Sequence, residues 1–256
     1  LQVAQIASLA SAGQTFNQTQ AAAGIDSLPS ISLLRNAVLS LPSFDAASRA
    51  FDLLSGEIYA SANMSMLEDT RFARAATENR IRNVFCDTGR SPEMASSAQE
   101  GESSKCGSYD DERIFWGQGY GSWGHNDGDG NAARLSRSTG GLFLGVDIPV
   151  TESWRAGIVA GYGHTDFDVD DRSSSGDSDN YQLGIYGGTQ QGPLGFHVAA
   201  IHGWHDVSVT RNVSIPNFSD RLQADYTVGT TRISGDLGYK IHAYPYELEP
   251  FASLSY

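Results

Sequence analysis

Several side chains in this 256-residue sequence are of types that carry chemistry. His202, His205 and Asp206, and upstream of them His164 and Asp166, are residues that ligate metals or take up protons. They lie in segments of alternating polarity, however, and an extended strand sends successive side chains to opposite faces. His202 and His205 therefore cannot share one ion without a bulge, and His202 falls on the apolar face beside Trp204. The run Asp166-Phe167-Asp168-Val169-Asp170-Asp171 has carboxylates for calcium but lacks the spacing and closing Glu of a calcium loop. It reads as part of a solvated loop. No Gly-x-Ser-x-Gly elbow, matched carboxylate pair or phosphate-cradling loop is found. The expectation is a chain that is not an enzyme, with no catalytic residue, metal or cofactor.

Two further groups have structural chemistry instead. Cys86 and Cys106 are the only thiols, and in an oxidising compartment a disulfide closing their loop would contribute about 3 kcal/mol. Arg71, Arg74, Arg80 and Arg82 recur at helical spacing between residues 64 and 84. Far along the chain, Asp147, Asp236 and Glu249 occupy the polar face of alternating segments, with Arg232 and Lys240 on the same face. Charge-assisted contacts between the arginines and these acids would hold a helix against a polar wall.

Those groups need two kinds of scaffold, and the chain changes character near residue 110. Of its 28 glycines, 22 follow Trp116. Residues 1–62 are rich in Ala, Ser and Leu at helical steps, broken at Pro29 and Pro42. Ser43 is placed to cap a helix whose apolar face carries Ala47, Phe51, Leu54 and Ile58. A helix is expected over 63–85, followed by a flexible linker over 86–111. From residue 112 the period becomes two, giving seven strands of about 9–12 residues with no helix between them, hence an antiparallel sheet.

The strand pattern also names the solvent. Long polar loops (125–138, 168–180, 208–225) alternate with short turns (150–153, 190–193, 242–247), the asymmetry of an outer-membrane barrel. Trp154, Tyr162, Trp204, Tyr239 and Tyr256 sit toward strand ends on the apolar face, where rings rest at headgroup level. The opposite face holds Gly, Ser and charges, which a wet lumen accepts and a sandwich core does not. A mean hydropathy of -0.30 would suit a soluble protein, but averaging cancels two faces of opposite polarity. The alternative is a soluble or surface-exposed β-domain acting as a binding or adhesion module. A net charge of -13 excludes a basic face for nucleic acid.

The chain resembles the autotransporters of the type V secretion route. The resemblance is carried by Phe115-Trp116-Gly117-Gln118-Gly119-Tyr120-Gly121-Ser122-Trp123-Gly124, Ser138-Thr139-Gly140-Gly141, Arg155-Ala156-Gly157, Gly184-Ile185-Tyr186-Gly187-Gly188, Gly203-Trp204-His205-Asp206-Val207 and Leu248-Glu249-Pro250-Phe251-Ala252. Upstream, Ala50-Phe51-Asp52-Leu53-Leu54-Ser55-Gly56-Glu57-Ile58 looks like the family's pre-barrel segment. The resemblance implies a twelve-stranded outer-membrane barrel with a helix threading its pore, anchoring a passenger at the cell surface. It also implies outer-membrane lipid and lipopolysaccharide, the passenger, the barrel-assembly machinery and periplasmic chaperones as partners. About seven of the twelve strands are present, and both ends read as cut, so the expectation is a fragment that does not seal a pore alone.

Overall fold

The computed structural model describes residues 8–85, 113–244 and 246–256. The expected linker over 86–111, with Cys86 and Cys106, lies outside the described residues. Four helices, α1 (Phe16–Asp26), α2 (Leu33–Leu39), α3 (Phe44–Leu54) and α4 (Glu57–Val84), precede the strands. The strands are β1 (Ile114–Asn126), β2 (Leu135–Pro149), β3 (Trp154–Val169), β4 (Ser174–Gln191), β5 (Leu194–Ile215), β6 (Phe218–Tyr239), β7 (Ile241–Ala243), β8 (Tyr246–Leu248) and β9 (Phe251–Ser255).

Each long strand pairs antiparallel with the next, in the order β1-β2-β3-β4-β5-β6-β9, and the seven-stranded sheet is open, with β1 and β9 at its edges. β7 and β8 pair only with each other. The region expected as the short turn 242–247 is therefore a small hairpin, and Ile241 and Leu248 face one another within it.

The strands run 13 to 22 residues in β1 to β6, longer than the expected 9–12, at the expense of the expected loops. The regions 168–180 and 208–225 are almost wholly strand, joined by a 3-10 turn at Asp170–Arg172 and by Pro216-Asn217. Ser173 and Asn217 supply the left-handed backbone (φ 48° and 65°) that so tight a reversal requires. Asp166 and Asp168 consequently stand on the outer face of β3 and are not in a loop.

What holds the polar stretches in register is the inward face. Along β5 the outward positions are apolar up to Trp204 (Val198, Ala200) and polar beyond it (Asp206, Ser208), whereas the inward positions carry buried apolar residues in both parts: Ala199 and Ile201, then Val207, Val209, Val213 and Ile215. Side chains alternate with period two, so a strand whose outer set turns polar keeps its register as long as its inner set stays apolar. β3 does the same: outward Ile158 gives way to Asp166 and Asp168, while Val159, Phe167 and Val169 are buried inward. The wall thus has an apolar exterior over one band and a polar exterior beyond it.

Short side-chain caps start the upstream helices: Thr15 accepts from the Gln18 N–H, Ser32 from Arg35 and Ser43 from Ala46. The expected helix carrying Ala47, Phe51, Leu54 and Ile58 ends at Leu54. Ser55 is extended (φ -63°, ψ 145°), the chain bends at Gly56, and Ile58 belongs to α4, which begins six residues before the expected 63. Helices α1 to α3 pack together around Ala22, Ile25, Val38 and Phe51, against Ile215 and Phe218 at the β5–β6 tip.

Candidate functional site: a charged helix against the polar wall

Helix α4 has 28 residues, about 42 Å at 1.5 Å per residue, and lies along the concave face of the sheet. Small residues let it approach closely: Ala62, Ser65, Ala73, Ala76 and Thr77 are all buried. Its N-terminal half (Ile58, Ala62, Met66) packs on Leu135, Phe167, Val207 and Val209 at the end where β1–β2, β3–β4 and β5–β6 are joined, here termed the loop end. Its C-terminal half (Phe72, Ala73, Ala76, Ile81) packs on Phe143, Val159, Tyr186, Ala199 and Ile201 toward the turn end. Phe72 stacks on Tyr120 (centroids 4.8 Å), which stacks on Phe143 (4.9 Å), so one aromatic column joins helix to wall.

Three of the four helix arginines meet wall carboxylates. Arg80 Nε donates to Asp147 Oδ2 at 2.6 Å and its Nη2 to Oδ1 at 3.2 Å. Asp147 also accepts from Arg155 Nε (2.8 Å) and from the Tyr186 hydroxyl (2.9 Å), which itself accepts from Trp116 Nε1 at 2.6 Å. Arg74 forms a bidentate pair with Asp236 and donates to Ser253 Oγ at 2.7 Å. Asp236 also contacts His197 Nδ1 at 3.2 Å. Arg82 Nη2 lies 2.9 Å from Glu249 Oε1. Arg71 is exposed, with its guanidinium 5.0 Å over the Phe72 ring, and among the described residues no carboxylate is ion-paired with it.

Arg232 donates to Thr70 Oγ1 on the helix (2.8 Å) and to Ser255 Oγ (3.2 Å). Lys240 follows β6 and is half-buried, its N–H donating to the Pro193 carbonyl (2.8 Å). Among the outward aromatics, Tyr162 pairs across strands with Tyr181 (5.4 Å), and Tyr181 pairs in register with Trp204. Trp154 meets Phe196 at 5.9 Å nearer the turn end. Tyr239 and Tyr256 are also exposed, and the Tyr256 backbone pairs with Ile233. Trp154 and Tyr162 are eight residues apart on one strand, about 26 Å along it and about 20 Å once the usual tilt is allowed for.

A second buried network escaped the reading of the sequence. Asp69, 2% exposed, meets Arg137 Nη1 (3.3 Å) and accepts from the Thr165 hydroxyl (2.9 Å). Thr165 has one proton, given to Asp69, so it accepts from Thr139 (2.8 Å) and Asn180 Nδ2 (2.9 Å). With Asn180 Nδ2 donating, its Oδ1 accepts from His205 Nδ1 (2.6 Å), leaving Nε2 to accept from Thr230 (2.9 Å). His205 is fully buried and His202 lies on the outer face against Trp204 (4.5 Å), as the alternation requires. The inward parity of Arg155, Thr165 and His205 was legible in the alternation, whereas Arg137 lay within the expected loop 125–138 and is in β2. Helix partners were not legible, because pairing depends on how deep the helix sits.

An open antiparallel wall with an apolar exterior band, its inner face carrying charges paired with those of a helix laid along it, defines part of a membrane-spanning β-barrel domain with an internal helix. Comparison with known proteins supplies the family. The model of the autotransporter beta-domain matches residues 115–256. A Serratia marcescens extracellular serine protease is 31% identical over 203 residues, covering 79% of this chain and 18% of that protein. The chain thus spans about a fifth of the length of that curated relative. Among solved structures, the beta domain of the Bordetella autotransporter Brka is 18% identical, with a TM-score of 0.45 and 56% of each chain covered. The translocator domain of the autotransporter NalP from Neisseria meningitidis is 13% identical, with a TM-score of 0.34, covering 73% of this chain and 77% of that one. The chain belongs to the autotransporter family, through its autotransporter beta-domain.

Proposed function

We propose that this domain is a translocator that anchors in the outer membrane and supports export of an N-terminal passenger to the cell surface. The observation that carries the reading is the pairing of Arg74, Arg80 and Arg82 with Asp236, Asp147 and Glu249 across the concave face. Charges on that face, and apolar residues with rings on the other, suit a wall between lipid and a wet lumen. Helix α4 is the last exported segment, retained in the pore by those pairs. The domain does no chemistry of its own; any catalysis belongs to the passenger. Lipid, lipopolysaccharide, the barrel-assembly machinery and periplasmic chaperones are its partners in reaching the membrane.

Replacing Asp236 and Glu249 with alanine in the full-length protein tests this. The variant should fractionate with the outer membrane, need detergent for extraction, and show raised ion conductance in a planar bilayer. Extraction without detergent, as for a soluble adhesion module, or conductance equal to wild type would contradict the assignment.

A further inference from the structure

Beyond the band of outward apolar residues, β3 and β5 still turn apolar side chains inward toward the loop end: Phe167, Val169, Val207, Val209, Val213 and Ile215 are buried there, with Arg211 set among them on the same face; these strands form one side of a collar. A water-filled mouth would leave that lining wetted, so the collar is built around a folded occupant. Two segments supply it. The first turns of α4 fill the lower part, and the packed helices α1 to α3 sit on Ile215 and Phe218 at the rim.

The elbow between them, Ser55-Gly56, is gripped by two arginines of the wall. Arg211, on the inner face of β5, donates through Nη2 to the carbonyls of Leu53 (3.2 Å) and Ser55 (2.5 Å). Carbonyls at a helix C-terminus have no partner within the helix and carry its negative dipole end, which is where a cation binds best. Arg172, in the β3–β4 turn, bridges Asp52 of α3 (3.4 Å) and Glu57 of α4 (3.1 Å), one on each side of the elbow. Glu57 also accepts the Ala133 N–H (3.0 Å), and Asn131 accepts the Asn17 N–H (2.8 Å), both from the β1–β2 loop. A slip of one residue along α4 shifts the helix about 1.5 Å and turns it about 100°, which would break all of these contacts together.

We propose that residues 8–54 are a lid over the loop-end mouth of the pore, latched by Arg172 and Arg211, and that this latch stops α4 at a single depth. The proposal rests on the translocator reading above. The arginines are not needed to form the barrel wall, since β3 to β6 pair through their backbones. The latch closes only when the elbow has reached the loop end, so it marks the end of chain passage.

The test is the full-length protein carrying R172Q and R211Q, probed in intact cells with an external protease and by single-channel recording. Heat-modifiable migration of the detergent-extracted protein is scored in the same samples and reports the barrel independently of the lid. With the barrel intact, cleavage within residues 8–54 should be about tenfold faster or more, with frequent full openings of the channel. An intact barrel with wild-type cleavage and conductance would overturn the latch while leaving the translocator reading standing. If the double variant does not insert, hydrogen exchange on the wild type decides: α1 and α3 amides protected as strongly as those of α4 support the latch, and exchange at loop rates overturns it.

Discussion

Asp147 is where helix and wall share one charge, and its replacement by asparagine is the most informative single change. The side chain has no solvent exposure and accepts from Arg80, Arg155 and Tyr186 at 2.6 to 3.2 Å. Asparagine keeps the shape and removes the charge, leaving two guanidinium groups facing one another. Removing one member of a buried pair costs about 3–5 kcal/mol. The Arg80 side chain is 16% exposed, so water recovers part of this, leaving a loss of about 2–4 kcal/mol. For a chain of this size that is a fall of about 4–16 °C in melting temperature. The assay is thermal loss of heat-modifiable mobility at a fixed heating rate, which keeps the midpoints comparable whether or not unfolding is reversible. R80Q separates the two roles of Asp147: it frees the helix while the Arg155 contact keeps the wall, so helix amides should exchange faster with β2 and β3 unchanged. A coupling of about 1.5–3 kcal/mol between D147N and R80Q is expected. D147N melting within about 2 °C of wild type, or zero coupling, would refute the reasoning.

Three other outcomes follow from the same structure. Neutralising Arg82 or Glu249 should cost less than D147N, because the Glu249 side chain keeps about one-fifth of its surface in solvent whereas that of Asp147 has none, and isothermal denaturation of each single variant measures it. Gly163→Ala should impair assembly, since a Cβ there would collide with the Tyr120 hydroxyl; pairing it with Tyr120→Phe, which removes the hydroxyl and keeps the ring stack, should restore folded yield, read by heat-modifiable mobility. Asp129, in the β1–β2 loop, is held below the ordinary carboxylate range by the N–H groups of Ala132 and Asn131. A depressed value contributes stability present above the unfolded pKa of about 3.9 and lost as pH falls through the folded one. The protection factor at Asn17, which Asn131 contacts, should therefore fall below about pH 4 in wild type but not in D129N.

The two faces of the wall and the helix before it were legible in the residues, because period two and period 3.6 are properties of local sequence. The inward placement of Asp147, Arg232 and Asp236 follows from parity alone. What parity does not carry is depth, so Arg80 with Asp147, and not with Glu249, emerges only from the packing of α4. The length of the strands is harder to read for a physical reason: the outward polar residues of 208–225 resemble a solvated loop, and the inward set Val207, Val209, Val213 and Ile215 is interrupted by Arg211. That ambiguity hid the lid contacts as well. Arg172 and Arg211 fell within regions assigned to loops, and Glu57 stood before the expected start of the helix.

The change of the outer face of β5 from apolar to polar past Trp204 is the most direct test of the whole account. Single cysteines at Val198, Ala200, Asp206, Val207, Ser208 and Val209 in the full-length protein with Cys86 and Cys106 replaced by serine, in outer-membrane vesicles, would be labelled with a fluorophore and quenched from lipid or from water. The account predicts lipid quenching at Val198 and Ala200, aqueous quenching at Asp206 and Ser208, and neither at Val207 and Val209. Aqueous quenching at Val198 and Ala200 as strong as at Asp206 and Ser208 would contradict it.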